Sequence, residues 1–391
     1  MRLGVLDVGS NTVHLLAVDA HRGGHPNPMR SEKTELRLAE HLEGGHLTNA
    51  GAVALVRAVA QAQEAATAAG CDELLAFATS ALRDAVNSAE VLNRVRAETG
   101  VALEVLPGED EARYTFLAVR RWFGWSAGRL LVLDIGGGSL ELAAGHDEDP
   151  QVALSLPLGA GRLGRQGFRG DPPARPDLDA LTEKLDATIA PAARQLRELG
   201  PFDLAVGTSK TFCSLARLAG AAPSGAGLRA RRTLTDIGLR QVFGFISRIP
   251  SADLAELDGV SPGRAHQLVA GASVAAAAMR ALRISELHIC PWALREGVIL
   301  RRLDNLDSPN SPPRPWPLTD RRAETPGRSR HPSAPDDSRG ELNRRLHHGR
   351  APQAAEAGRP TSETSSTPPT VPSAPCRGRC WVQQFRDGPA A

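Results

Sequence analysis

Residues 3–16, Leu-Gly-Val-Leu-Asp-Val-Gly-Ser-Asn-Thr-Val-His-Leu-Leu, align without a gap on residues 130–143, Leu-Leu-Val-Leu-Asp-Ile-Gly-Gly-Gly-Ser-Leu-Glu-Leu-Ala. Each copy reads as an apolar strand, a small polar turn and a second strand, so the chain is expected to hold two similar halves. In both copies an aspartate closes the first strand, Asp7 and Asp134, and a glycine comes two residues later, Gly9 and Gly136. Turns of Gly, Ser, Asn and Thr expose consecutive N–H groups and hydroxyls, which are natural partners of phosphate oxygens. The aspartates would repel phosphate, and make sense instead as ligands, direct or through water, of a divalent cation bridging to it. An Asp-x-Gly turn is also ordinary hairpin chemistry, and duplicating a fold duplicates its turns. Two copies in one register favour the phosphate reading.

The segments after the two hairpins repeat as well. After the first come a helix over 48–69, a strand over 74–78, a helix capped near Asn87 with Glu90 three residues on, a strand over 103–106 and a helix from Glu109. After the second come a strand over 152–156, a helix over 178–199, a strand over 203–206, helices as far as Leu282, a strand over 286–289 and a helix from Trp292. Strands alternating with helices predict open, largely parallel sheets covered on both faces, an α/β fold. Two such halves would set their hairpins on opposite walls of one cleft. The expected domains are residues 1–124 and 125–305, with a disordered Pro/Arg-rich tail over 306–391.

Composition supports that boundary. Residues 307–391 hold 15 of the 29 prolines, and the stretch carries 13 arginines against 9 acidic residues. Runs such as Thr361-Ser-Glu-Thr-Ser-Ser-Thr-Pro-Pro bury too little apolar surface to offset chain entropy. Cys376 and Cys380 lie there without a second ligand pair, and read as two incidental thiols. A net charge of +2 over 391 residues disfavours a strongly basic nucleic-acid binder. The most apolar stretch, 268–282, is mostly alanine and contains Arg280, so no membrane span is expected. Asp7 falls where a signal peptide would carry its apolar run, and five scattered cysteines suit a reducing compartment, so the expected location is cytoplasmic.

Four motifs in order, Asp7-Val-Gly-Ser-Asn-Thr, Gly108-x-x-Glu111-Ala-Arg, Asp134-Ile-Gly-Gly-Gly-Ser and Trp292-Ala-Leu-Arg-Glu-Gly-Val, resemble the exopolyphosphatase/guanosine pentaphosphate phosphohydrolase (Ppx/GppA) family. The resemblance runs from Met1 to about Leu303 and is closest to the short, two-domain actinobacterial type. It implies the actin-like ATPase fold shared with sugar kinases and heat-shock ATPases, two duplicated α/β domains around a central cleft.

Hydrolysis of a phosphoanhydride needs an in-line water, a carboxylate to orient or deprotonate it, and positive charge on the equatorial oxygens. The residues alone leave Glu109, Asp110 and Glu111 as candidates, each of which also suits a helix N-terminus. The resemblance places the general base at Glu111. It further implies Mg2+ held by Asp7, Asp134 and Glu141, mainly through water. The implied phosphate cradle is Gly9, Ser10, Asn11 and Thr12 on one side, with Gly136, Gly137, Gly138 and Ser139 on the other. Arg83 matches a family arginine able to neutralise a terminal phosphate, against the plainer reading of a salt bridge with Asp84 or Glu90. Arg162 sits in the family-like Ser155-Leu-Pro-Leu-Gly-Ala-Gly-Arg-Leu, while Arg165, Arg169, Arg229, Arg231 and Arg232 are either a polyanion track or solvated charge.

Gly207-Thr-Ser-Lys-Thr211 comes after a strand and opens a helix, so its amides and Ser209 suit an anion. Many relatives carry Ser-Gly-Thr there; Lys210 argues against a family-style purine contact and adds charge for phosphate. His14, a lone strand histidine, reads as packed. The implied activity is release of orthophosphate from inorganic polyphosphate. The alternatives are guanosine pentaphosphate as substrate, a sugar or acid kinase, and a non-catalytic polyphosphate- or alarmone-binding regulator. The expected partners are polyphosphate and guanosine pentaphosphate, with no nucleic acid and no membrane, and the expected assembly is a homodimer.

Overall fold

The computed structural model describes residues 1–21 and 23–306; the tail, with Cys376 and Cys380, lies outside the described residues. The first half runs β1 (Arg2–Val8), β2 (Thr12–Asp19), β3 (Pro28–Glu35), the short pair β4 (Leu42–Glu43) and β5 (His46–Leu47), α1 (Asn49–Ala68), β6 (Glu73–Ala78), α2 (Ser80–Arg83), α3 (Ser88–Thr99), β7 (Glu104–Val105) and α4 (Gly108–Phe123). The second runs β8 (Leu130–Ile135), β9 (Leu140–Gly145), β10 (Val152–Leu156), α5 (Ala160–Gly167), α6 (Arg175–Arg197), β11 (Leu204–Gly207), α7 (Ser209–Leu218), β12 (Thr233–Thr235), α8 (Asp236–Ile246), α9 (Ser251–Leu254), α10 (Leu268–Leu282), β13 (Glu286–Ile289) and α11 (Leu294–Leu306).

The duplication is visible in the sheets. The first has the order β3-β2-β1-β6-β7, with β1 antiparallel to β2 and parallel to β6. The second has β10-β9-β8-β11-β13-β12, with β8 antiparallel to β9 and parallel to β11. The hairpin registers correspond too: Asp7 faces His14 and Asp134 faces Glu141. Even the turns close alike, Gly9 N–H donating to Thr12 C=O at 3.0 Å and Gly136 N–H to Ser139 C=O at 2.9 Å. In each half β1 or β8 pairs with its hairpin partner on one side and a crossover strand on the other. The carboxyl ends of strands at such a switch point open into a crevice.

Alternation along the strands divides the core. Leu6, Val8, Val13 and Leu15 face α1 and α3, whereas Leu3, Val5, Leu16 and Val18 face Tyr114 of α4 and Val298, Ile299 and Leu303 of α11. In the second sheet Leu131, Leu133 and Ile135 face α6, α7 and α10, and Leu130 and Val132 face Phe116, Leu117 and Leu300. Helices α4 and α11 are therefore buried between the two sheets, each contributing to both inner cores. Close packing of the pair rests on Gly297, where a β-carbon would overlap the carbonyl of Tyr114. Each leucine held fully out of water here contributes about 2 kcal/mol.

Three local readings change. Asn87 does not cap α3 with its side chain; its amide instead accepts from Leu47 N–H (2.8 Å) and donates to Leu47 C=O (3.0 Å). Strand β3, Pro-Met-Arg-Ser-Glu-Lys-Thr-Glu, is too polar to read as a strand, and forms because β2 offers a free edge. Strand β12 is a three-residue edge added antiparallel to β13. Among the described residues no helix is long and apolar enough to cross a membrane.

Candidate active site

Both hairpin turns open on one cleft of about 350 Å3 between the inner ends of the sheets. Asp7, Gly9, Ser10, Asn11, Thr12, Glu111, Asp134, Gly136, Gly137, Ser139, Glu141 and Ser209 all line it. Of the residues expected from sequence, Arg83, Gly138 and Arg162 do not line the cleft.

Helix α4 separates the three acidic candidates at its first turn. Glu109 is exposed and lies 3.5 Å from Arg113, and Asp110 is fully buried and accepts from Arg113 at 2.8 Å. Glu111 alone faces the cleft, 7 % exposed. Its carboxylate accepts a charge-assisted hydrogen bond from Arg83 Nη1, and the same nitrogen reaches Leu106 C=O at 3.3 Å. Burial pushes the Glu111 carboxyl well above the usual carboxylate range and Glu141 adds to this, while Arg83 opposes both. Arg83 thus holds the carboxylate in place and offsets part of that rise, a use that the sequence did not separate from phosphate binding.

The other acids are also desolvated. Asp7 is raised by burial, opposed chiefly by Arg295, whose Nη1 donates to Asp7 Oδ2 at 3.1 Å. Burial likewise raises Asp134, with Thr208, Arg264 and Arg295 opposing. Glu141 is raised by burial and then by Asp134, while Ser155 donates to its Oε1 at 2.9 Å. Opposite Asp7 in the register, where the second copy has Glu141, stands His14; burial and the charges of Arg295, Lys33 and Arg264 hold its imidazole neutral, down to about 3.

Among the described residues no three His, Cys, Asp or Glu side chains converge closely enough to make a ready-made metal cage. The donor set nevertheless suits a hard cation: carboxylate oxygens in a polar cleft, whose mutual repulsion a positive charge would relieve. Mg2+ usually keeps several waters and takes only one or two protein carboxylates.

The two turns are packed against each other as well as against the cleft. Ser10 and Ser80 hydroxyls are 2.9 Å apart, and a β-carbon on Gly137 would lie 2.8 Å from Ser10 Cβ. Asn11 and Gln267 exchange both amide hydrogen bonds, 3.2 and 2.8 Å, in a buried pair joining the halves. Arg162 donates to Gly138 C=O at 2.9 Å and pairs with Asp84, so it buttresses the second turn. The junctions after β6 and β11 form a further repeat: Thr79 and Thr208 share an extended conformation (φ −115°, ψ −150° and φ −108°, ψ −142°) before their helices. Ser209 comes next at φ 52°, a left-handed conformation unusual for serine, and its buried hydroxyl has no hydrogen-bond partner among the described residues. It is free to meet an anion.

Four cations also line the cleft: Lys33, Lys210, Arg264 and Arg295. Lys210 was marked by its place after β11; the other three carried no role in the sequence reading. Arg295 lies within the Trp292-to-Val298 motif, which is the available signal, whereas Lys33 and Arg264 come from an edge strand and a 3-10 turn over Pro262–Gln267 with no motif of their own. The arginines near residue 230 serve the protein itself. Arg232 donates to the carbonyls of Ala222, Ala230, Pro223 and Gly227, and Arg229 lies 4.8 Å over the Trp122 ring.

Residues 17–306 match the Ppx/GppA phosphatase family. The chain belongs to that family. It is 63 % identical over 306 residues to exopolyphosphatase 1 of Mycobacterium tuberculosis, covering 78 % of this chain and 89 % of the relative. A guanosine-5'-triphosphate,3'-diphosphate pyrophosphatase of Vibrio parahaemolyticus is 27 % identical over 306 residues, 77 % of this chain and 59 % of that protein. The crystal structure of an Aquifex aeolicus family member superimposes with a TM-score of 0.66 at 25 % identity, covering 78 % of this chain and 99 % of the other. The expected actin-like fold and family membership both stand.

Proposed function

We propose that this protein is an exopolyphosphatase, removing terminal orthophosphate from inorganic polyphosphate. The observation that carries the reading is that Glu111, alone of the three acids opening α4, faces the cleft on which both hairpin turns open, with Arg83 bonded to its carboxylate. The 63 % identity to a mycobacterial exopolyphosphatase supports it.

In this reading the terminal phosphoryl group lies between the turns. Main-chain N–H groups inside the two turns, beyond those of Gly9 and Gly136 that close them, hold its oxygens together with the Ser209 hydroxyl. Glu111 accepts a proton from a water aimed in line at phosphorus, the phosphoanhydride P–O bond breaks, and the shortened chain leaves as an anion. Arg83 orients Glu111 and favours its ionised form against the cost of burial. Asp7, Asp134 and Glu141 would hold Mg2+ largely through its waters, and the ion would supply Lewis-acid charge to phosphate oxygens. Lys33, Arg264 and Arg295 offset the remaining negative charge. We place the protein in the cytoplasm, supported by the free thiols of Cys71, Cys213 and Cys290.

The test is orthophosphate release with Mg2+ from short polyphosphate, long polyphosphate, guanosine pentaphosphate and ATP. The expected result is the highest kcat/KM on polyphosphate. Tight polyphosphate binding without turnover of any of the four would leave a binding protein.

A further inference from the structure

A second cavity, about 270 Å3, adjoins the cleft and shares with it Lys210, Cys213 and Pro291. Its size is near the lower end of small-molecule pockets, about 300 Å3. Leu228, Ile289, Pro223 and Pro291 give it apolar walls, and its two arginines are already engaged. Arg217 pairs with Asp258 and Ala221 C=O, and Arg232 is saturated by main-chain carbonyls. Beyond Lys210 no cation lining it is left for further phosphates, so the room suits an organic group and not the continuation of an inorganic chain.

Lys210 stands where the two spaces meet. It lines both, and a small crevice beside Arg264 as well, and it has no hydrogen-bond or ion-pair partner among the described residues. The fold does not require a lysine there: the corresponding residue after Thr79-Ser80 is the buried Ala81. Only three lysines occur in this arginine-rich chain, and two of them, Lys33 and Lys210, line the cleft. A lysine is a compact, mobile charge on a flexible stem, suited to tracking a phosphate chain.

We propose that Lys210 is a specificity-determining residue, one that draws the inorganic chain into the cleft and bars a nucleoside from the neighbouring cavity. The inference rests on the exopolyphosphatase reading. Three variants, Lys210→Ala, Lys210→Met and Lys210→Arg, are assayed beside the wild type for kcat/KM on short polyphosphate and on guanosine pentaphosphate. Lys210 is exposed, so all are expected to fold, and circular dichroism checks this. Loss of one charge-assisted contact should lower polyphosphate kcat/KM about tenfold in the alanine and methionine variants, with arginine within about threefold of wild type. The ratio of polyphosphate to guanosine pentaphosphate kcat/KM should fall about tenfold in Lys210→Ala, which opens the wall, and stay within about twofold in Lys210→Met, which keeps its bulk. An unchanged ratio in Lys210→Ala, with the wild type active on polyphosphate, would overturn the assignment and leave the functional reading intact. A wild type inactive on polyphosphate would remove both.

Discussion

Replacing Gly297 with alanine sets helix propensity against packing. In an open helix this change stabilises by about 1 kcal/mol, because alanine loses less backbone entropy. At Gly297 the new methyl would fall inside the carbonyl of Tyr114, and a main-chain carbonyl in the buried helix α4 has no rotamer to turn away. Overpacking of this kind costs about 1–3 kcal/mol, and a backbone neighbour places it at the upper end. The net is a destabilisation of about 2 kcal/mol, a fall in Tm of about 3 °C for about 300 residues unfolding together at about 2 cal/mol/K each. Gly244, exposed in α8 with nothing within 4 Å of a built β-carbon, is the internal control, and Gly244→Ala should raise Tm by about 1–3 °C. Scanning calorimetry of the two variants decides the matter. Because Tyr114 lies one turn from Glu111 on α4, Gly297→Ala should also lower kcat about tenfold through a displaced carboxylate. A Gly297→Ala protein as stable as Gly244→Ala would refute the account of α4 and α11 packing.

Other residues of the site and its supports give outcomes of their own. Arg83→Ala removes the charge that opposes the rise of the Glu111 carboxyl; a base must be ionised to act, so the acidic limb of the pH–rate profile should move to higher pH, and an unmoved limb would count against the pairing. Chelation by EDTA should abolish orthophosphate release, with recovery on adding Mg2+, whereas retained activity would remove the metal from the mechanism. A double-mutant cycle on Asn11→Ala and Gln267→Ala, read by urea unfolding, should give a coupling of about 1 kcal/mol or more, since either single change leaves a buried amide without its partner.

The parts of the fold legible in sequence are those whose signal is local. The hairpins, β10 and β13 carry their apolar runs and turns within a few residues, and β10 and β13 run over the ranges expected. Elements decided by a distant partner were hidden. The polar β3 exists because β2 has an unpaired edge, and Asn87 abandons its cap for Leu47, 40 residues earlier. The site divides the same way. The turn residues and the four acids are marked by a repeat and by motif, but Lys33, Arg264 and Arg295 reach the cleft from segments far apart in the chain, and abundant arginine masks them. The roles of Arg83 and Arg162 needed three dimensions: one partners Glu111, and the other braces Gly138 against Asp84.

Glu111→Gln isolates the general base, because glutamine keeps the side chain's size and its capacity to accept from Arg83 but does not take a proton at neutral pH. Phosphate release and polyphosphate binding are measured on the same preparation. The account predicts a fall in kcat of about 10²–10⁴, the usual contribution of a positioned general base, with Kd for polyphosphate within about threefold of wild type. Release at the wild-type rate from Glu111→Gln would contradict it.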